Sequence, residues 1–375
     1  MKIVLATGIY PPDIGGPATY VRHLAEELSK RGEKVIVVTY GPPPPTPPPR
    51  LAALVAGEGS HSWPVIHVAK SGGPLLRWRR YAKALKEHGS DADVIECFSS
   101  VSCGMPLKIA KLEKPKKILR LGGDFTWERY TDLGRRRTLR DFMIRHPNLR
   151  LPMARLLRVF DHIVFSTQFQ QQLYESAYEA LPRHSVIENA LPASPSVAPT
   201  LHQKHDPFRL LYFGRFVKFK NLERLLRAVA GIPHATLTMV GDGPQRDSLS
   251  ALARTLQMQG RVSIVPPVHG DNVQSVFDEH DMLALPSLTE ISPNAALEAR
   301  AAGLPVLLTE ENGLSAELRA GMIVRPLLTT NDITKAILEI DHRYDEFSQP
   351  AAEPVTFLRG WEEVAQEHAA LFHSL

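Results

Sequence analysis

The chain has 375 residues, of which 43% are hydrophobic and 22% charged, and a formal net charge of +4. That balance excludes a mainly disordered protein, and the length predicts two domains at about 150 residues or more apiece. No apolar run reaches the ~18 residues of a membrane-spanning helix, and Cys97 and Cys103 offer neither a disulfide framework nor a CxxC spacing.

The opening Met1-Lys2-Ile3-Val4-Leu5 runs straight into a strand-like stretch with no leader-like segment, so the expected compartment is the reducing cytoplasm. Charge is unevenly placed. Residues 1–189 hold 28 Lys+Arg against 18 Asp+Glu, and residues 190–375 hold 16 against 22. A basic half suits an anionic substrate, an anionic membrane or nucleic acid, and it also reads as a solvated surface.

The first half alternates strands and helices. Lys2–Thr7 reads as a buried strand, followed by the loop Ile9–Pro17. Ala18–Arg31 is a helix with Tyr20, Val21, Leu24, Ala25 and Leu28 on one face, Gly32 ends it, and Lys34–Thr39 is the next strand. This is a β-loop-α-β unit of the doubly wound kind. Gly41–Arg50 contains seven prolines and reads as an extended surface loop. Val65–Ala69, Val94–Cys97, Lys117–Leu121 and His162–Ser166 are further short strands.

Two stretches are basic and amphipathic. Pro74–His88 repeats Leu75, Trp78, Ala82 and Leu85 at helical spacing among five Arg and Lys residues. Arg135–Arg158 interleaves Phe142, Met143, Leu149, Leu151, Leu156 and Leu157 with arginines. Such helices lie on anionic membrane surfaces or pack their apolar stripe on their own sheet. Ala190–Pro207 lacks periodicity and reads as a linker. Beyond it the alternation restarts, with strands at 209–213, 236–240, 262–265, 282–286 and 306–308 and helices at 221–230, 244–257, 273–280 and 294–302. Trp361–Phe372 is a detached amphipathic helix.

Four runs carry chemistry. In Tyr212-Phe213-Gly214-Arg215-Phe216-Val217-Lys218-Phe219-Lys220-Asn221, Arg215 and Lys220 leave a loop after a strand. A planar fork and a point charge so placed can meet a diphosphate. In Val240-Gly241-Asp242-Gly243-Pro244-Gln245-Arg246, the glycines allow a tight turn or a close backbone approach, and Pro244 fits the first turn of a helix. In the run from Pro286 to Ala299, Glu290 follows a strand, Ser292 is a good N-cap and Pro293 fits N1. The amides around Asn294, Ala295 and Ala296 then face an anion, and Glu298 lies about a turn and a half into the helix. A carboxylate can accept two hydroxyl donors at once. Last, Tyr10-Pro11-Pro12-Asp13-Ile14-Gly15-Gly16 is a di-glycine loop before a helix, without the G-x-G-x-x-G of a dinucleotide fingerprint.

Together these runs resemble glycosyltransferase family 4, the retaining, nucleotide-sugar-dependent enzymes of the GT-B fold. The resemblance spans nearly the whole chain and is strongest from Leu210 to Leu308. It implies an α/β architecture of two Rossmann-like parallel-sheet domains facing a cleft, 1–189 and 207–355, joined by the linker 190–206. A C-terminal helix, 356–375, would return to the first domain, and Trp361-Glu362-Glu363-Val364 resembles that element. Ser166 and Ile187-Glu188-Asn189-Ala190 are similar to the family's domain-junction positions.

The resemblance also implies roles. Arg215 and Lys220 match the family's G-R-x4-K-G run and would stabilise charge growing on the leaving diphosphate, with no metal and no cofactor. Glu290 would hold the donor sugar's hydroxyls, and Glu298, second Glu of the E-x7-E element, the ribose. Gly15, Gly16, Gly214, Asn294, Ala295 and Ala296 would line the donor phosphates. Several positions depart from the pattern. Asn221 and Ala190 replace glycines, Ile291-Ser292 replaces Gly-Phe, and Pro266-Pro267 stands where a glycine is common. Many members carry a histidine where this chain reads Arg120-Leu121-Gly122-Gly123-Asp124; Asp124 is the residue expected to take over sugar-hydroxyl contacts. Asp91-Ala92-Asp93 precedes a strand and is not read as a metal site.

The implied activity moves a hexose from a UDP- or GDP-linked sugar to a saccharide or lipid-linked acceptor with retained configuration. The basic stretches Pro74–His88 and Arg135–Arg158 make an anionic membrane surface a second expected partner, placing the protein at the inner face of a membrane. A non-catalytic nucleotide-sugar- or membrane-binding protein on the same fold is the alternative. Nucleic acid is not an expected partner, because no recognition motif accompanies the charge.

Overall fold

The computed structural model describes residues 1–13, 15–42, 63–190, 201–268, 272–354 and 359–375. The proline-rich run beyond Pro42, Ile14 of the di-glycine loop and most of the expected linker lie outside the described residues. The chain divides into two compact units. The first comprises Met1–Phe125, His146–Ala190 and Arg359–Leu375, and the second Thr126–Arg145 and Leu191–Leu358.

In the first unit, strands β1 (Lys2–Ala6), β2 (Lys34–Tyr40), β3 (Val65–Val68), β4 (Val94–Cys97), β5 (Lys116–Leu121), β6 (His162–Phe165) and β7 (Arg183–Val186) form one sheet in the order β3-β2-β1-β4-β5-β6-β7. Every pairing is parallel, with Ile3 opposite Val35 on one side and Val94 on the other. Parallel strands covered on both faces read as unbroken apolar runs, which is why Ile3 to Ala6 are all buried. The edge strand β7, Arg-His-Ser-Val, carries no such run and was not expected from the sequence.

Helix α1 (Gly16–Lys30) buries Ala18, Tyr20, Val21, Leu24, Ala25 and Leu28, so its apolar face is the one its periodicity predicts. The C-terminal helix (Trp361–Ser374) packs on α1: the Trp361 ring meets Tyr20 edge-on at 4.9 Å and stacks on His23 at 4.8 Å. The helix Pro74–Gly89 buries Tyr81, Ala82, Ala84 and Leu85 against the sheet. Leu75, expected on that face, is 69% exposed instead. The stretch Arg135–Arg158 is not one amphipathic element. It is two helices, Leu139–Arg145 and Pro147–Leu157, of which only the second belongs to the first unit. The continuous first domain 1–189 of the sequence reading is thus interrupted at Thr126–Arg145. Nothing local to those residues signals their packing partner.

In the second unit, strands β8 (Phe208–Phe213), β9 (Ala235–Val240), β10 (Val262–Val265), β11 (Met282–Leu285), β12 (Val306–Thr309) and β13 (Ile323–Arg325) form a sheet in the order β10-β9-β8-β11-β12-β13, again parallel throughout. The reversal of strand order between β8 and β11 is a topological switch point, where ligands meet the carboxyl ends of strands in doubly wound sheets. The three-residue β13 is too short to show a period. No helix of the described residues is long and apolar enough to cross a membrane.

Candidate functional site

The loop after β8 is built by its neighbours. Beyond Gly214 the side chain of Arg215 stands exposed, and the buried Tyr212 hydroxyl donates to the Arg215 carbonyl at 2.9 Å. A single 3-10 turn, Lys218–Lys220, ends at Asn221, whose φ is 61°. That left-handed conformation suits glycine, and asparagine is among the few other residues that adopt it readily. The Asn221 amide nitrogen also donates to the Leu327 carbonyl at 3.1 Å. The residue that replaces the glycine of the motif therefore keeps a glycine's backbone geometry.

The Gly241–Gly243 run braces this loop. The Phe216 amide donates to the Asp242 carbonyl at 2.8 Å, and the Gln245 amide donates to the Phe216 carbonyl at 3.1 Å. A Cβ on Gly241 would lie 1.9 Å from the Gly214 carbonyl oxygen, and one on Gly243 2.6 Å from the Phe216 oxygen. Both glycines are needed for backbone to touch backbone, which gives the run a structural task. The following helix begins at Arg246, so Pro244 lies in the turn before it rather than in its first turn.

Lys220 and Glu290 meet. The Lys220 ammonium donates to Glu290 Oε1 at 2.6 Å, with the two side chains 18% and 6% exposed. The buried Ser287 hydroxyl donates to the same oxygen at 2.5 Å. Two donors on one oxygen fix the plane of the carboxylate. The Glu290 backbone is also tied, its amide donating to the Glu311 carbonyl and its carbonyl accepting from Gly313, both at 2.9 Å. The sequence singles out Lys220 and Glu290 separately. Their pairing and the part of Ser287 leave no local signal beyond the Pro286-Ser287 step of the same run.

The helix carrying Glu298 spans Asn294–Ala301, with Pro293 rather than Ser292 at the cap. Pro293 is extended, at φ −78° and ψ 93°, and no side chain caps the helix. The Ala296 amide donates to the Pro293 carbonyl at 3.0 Å, so of the three amides expected to face an anion this one is spent within the helix. Glu298 is half-buried, and burial raises its carboxyl above the usual carboxylate range. No charged or hydrogen-bonding side chain partners it among the described residues. The side chain of Arg215 is likewise without an ion pair among the described residues.

The remaining expected residues belong to the first unit. Gly15 caps α1, and its carbonyl accepts from Ala18 at 2.9 Å and Thr19 at 3.2 Å; Gly16 follows, exposed. Asp124 is 2% exposed, and the Tyr174 hydroxyl donates to its Oδ2 at 2.5 Å, so one carboxylate oxygen is already engaged. Ser166 is structural: its hydroxyl donates to the Leu121 carbonyl at 3.1 Å. Asp91 and Asp93 serve β1. The Asp93 carboxylate accepts from the Lys2 amide at 2.8 Å, and Asp91 pairs with the Lys2 ammonium.

Comparisons with known proteins point to one kind of enzyme. The model of "Glycosyltransferase Family 4" matches residues 14–194, and that of "Glycosyl transferases group 1" matches residues 207–341. An uncharacterized glycosyltransferase of Methanocaldococcus jannaschii is 26% identical over 337 residues, covering 84% of this chain and 82% of that protein. A D-inositol 3-phosphate glycosyltransferase of Mycobacterium avium is 29% identical over 167 residues, covering 43% of this chain and 37% of that protein. Sucrose-phosphate synthase from Thermosynechococcus elongatus superposes with a TM-score of 0.79 at 19% identity, covering 100% of this chain and 98% of that one. Anabaena HepE in complex with UDP-glucose superposes with a TM-score of 0.71 at 16% identity over the whole of both chains. The chain belongs to the family 4 glycosyltransferases and has their GT-B fold.

Proposed function

We propose that this protein moves a hexose from a UDP- or GDP-linked sugar to a saccharide or lipid-linked acceptor, with retained configuration and without a metal or other cofactor. The observation that carries the reading is the Lys220–Glu290 pair, two groups of opposite sign locked together at 2.6 Å in the loops of the topological switch point. A donor diphosphate attracts Lys220 and the exposed Arg215, and the fixed cations stabilise the charge that grows as the glycosidic bond breaks. Glu290, freed of part of its ion pair, accepts from the sugar hydroxyls. Glu298, half-buried and unpaired among the described residues, accepts from the ribose. Within the second unit, the amide end of the helix Asn294–Ala301, Ala295 included, meets the phosphates. In retaining transfer the leaving phosphate oxygen takes the acceptor proton, so no protein nucleophile is required. The UDP and UDP-glucose complexes of the structurally similar HepE support a nucleotide-sugar donor.

The first unit also suits an anionic membrane surface. Leu75 and Leu76 at the tip of the helix Pro74–Gly89 are 69% and 46% exposed and are followed by Arg77, Arg79 and Arg80. Leu149 and Leu151 are exposed on a helix whose neighbourhood, from Phe142 to Phe160, holds four arginines and no acidic residue. Apolar tips among cations bind such surfaces peripherally.

The test is product analysis. With UDP-glucose or GDP-mannose as donor and EDTA present, wild-type protein should release the nucleotide diphosphate and an α-configured sugar product, read by NMR, while Lys220→Ala should not. An inverted product, or release that Lys220→Ala leaves intact, defeats the reading. Cosedimentation with phosphatidylglycerol vesicles but not phosphatidylcholine vesicles tests the membrane arm; equal binding to both defeats it.

A further inference from the structure

The segment Thr126–Arg145 lies in sequence between two strands of the first sheet, β5 and β6, yet it belongs to the second unit. Its contacts there are not scattered. The Trp127 ring lies 5.2 Å from that of Phe219, the residue before Lys220. The buried Leu139 amide donates to Thr289 Oγ1 at 2.9 Å, and Thr289 is the residue before Glu290. Arg140 pairs at 3.1 Å with Glu311, whose carbonyl holds the Glu290 amide. Arg136 pairs at 2.6 Å with Glu223, at the start of the helix after Lys220. Each of the two paired residues therefore has an immediate neighbour gripped by the same segment.

We propose that Thr126–Arg145 is a positioning strap for the donor loops, acting on Glu290 through Thr289 and on Lys220 through Phe219. Among the described residues no hydrogen bond or ion pair joins the segment to either side chain of the pair. It fixes the backbone from which each projects, and so sets where the carboxylate and the ammonium stand when a donor parts them. Thr289 is a positioning residue, since its hydroxyl accepts the only hydrogen bond that the Leu139 amide makes among the described residues. A buried N–H left without its acceptor is costly, so loss of that hydroxyl should shift either the strap or the loop.

The proposal rests on the reading of Lys220 and Glu290 as donor-binding groups, and the experiment separates the two. The full-length protein is titrated by calorimetry with UDP, UDP-glucose, GDP and GDP-mannose. The variants are Thr289→Val, Thr289→Ser and Lys220→Ala. Thr289→Val should raise the Kd of the sugar nucleotide about tenfold while moving that of the bare nucleotide less than about twofold, because Glu290 faces the sugar. Thr289→Ser, which keeps the acceptor, should restore wild-type binding. Should Thr289→Val not fold, the double variant Arg136→Ala/Arg140→Ala loosens the strap from its surface side and should weaken the sugar nucleotide by roughly threefold. Equal weakening of nucleotide and sugar nucleotide overturns the strap, as does wild-type binding by Thr289→Val. If Lys220→Ala binds as wild type does, the donor reading fails and takes the strap with it. If Lys220→Ala loses binding while Thr289→Val keeps it, the strap alone fails.

Discussion

Removing both partners of the Lys220–Glu290 pair should cost no more than removing Lys220 alone. The Glu290 carboxylate is 6% exposed and holds Lys220 at 2.6 Å. Breaking a buried pair by deleting one charge typically costs 3–5 kcal/mol, because the other charge stays desolvated. The lysine is 18% exposed and Ser287 still donates to Glu290 after its loss, so the cost of Lys220→Met falls to about 2–3 kcal/mol. Glu290→Gln is milder, at about 1 kcal/mol, because the ammonium it strands can turn to water. The double variant Lys220→Met/Glu290→Gln leaves no stranded charge and should cost no more than the worse single variant. The cycle then closes with a coupling energy of at least about 1 kcal/mol in favour of the pair. Urea unfolding is the assay, read from Trp127, which reports on the second unit. The other three tryptophans, Trp63, Trp78 and Trp361, lie in the first unit and are replaced by phenylalanine in the background protein. Additive single and double costs, within about 0.5 kcal/mol, would refute the claim that the pair is an energetic unit.

Two further outcomes follow from the same loops. Burial raises the Glu298 carboxyl, so the folded chain holds that proton to higher pH than the unfolded chain does. The group therefore withdraws stability as pH rises from the ordinary carboxylate range through its raised value. Glu298→Gln should raise the melting temperature at pH 7 by roughly 2–4 °C and flatten its fall between pH 4 and pH 7, while weakening nucleotide binding; a lower melting temperature would count against an unpaired carboxylate. Asn221→Ala forces a left-handed alanine and deletes the bond to Leu327, which should cost about 2–3 kcal/mol. Asn221→Gly loses only the bond and should cost about 1 kcal/mol, and equal losses in urea unfolding would show that the left-handed conformation is not what selects asparagine.

Much of the fold is legible in the sequence because it is written locally. The apolar stripe of α1 and the buried runs of β1 and β11 follow from periods that a short window contains. The run from Leu210 to Leu308 is legible for a similar reason, since Arg215, Lys220, Glu290 and Glu298 sit at fixed offsets from strand ends and helix starts. What escapes the sequence is set by partners far along the chain. Leu139 and Thr289 are 150 residues apart, and nothing near either residue announces the other. Ser287 is ordinary until Glu290 turns back onto it. The edge strand β7 carries Arg, His and Ser and β13 has only three residues, so neither shows the buried run of a central strand. The helix at Pro74–Gly89 shows both cases: Ala82 and Leu85 are core as the spacing predicts, while Leu75 continues the stripe past the point where the sheet can cover it.

On the proposed function, the second unit holds a nucleotide-sugar donor through Lys220 and its neighbours. A thermal-shift panel with UDP, GDP, ADP and dTDP on wild type and Lys220→Ala tests it most directly. A nucleotide at about 100 times its Kd adds roughly 2.7 kcal/mol to the stability of the state that binds it. One nucleotide should stabilise the wild type, and Lys220→Ala should lose the shift. Stabilisation that survives in Lys220→Ala, or none from any of the four nucleotides, would contradict it.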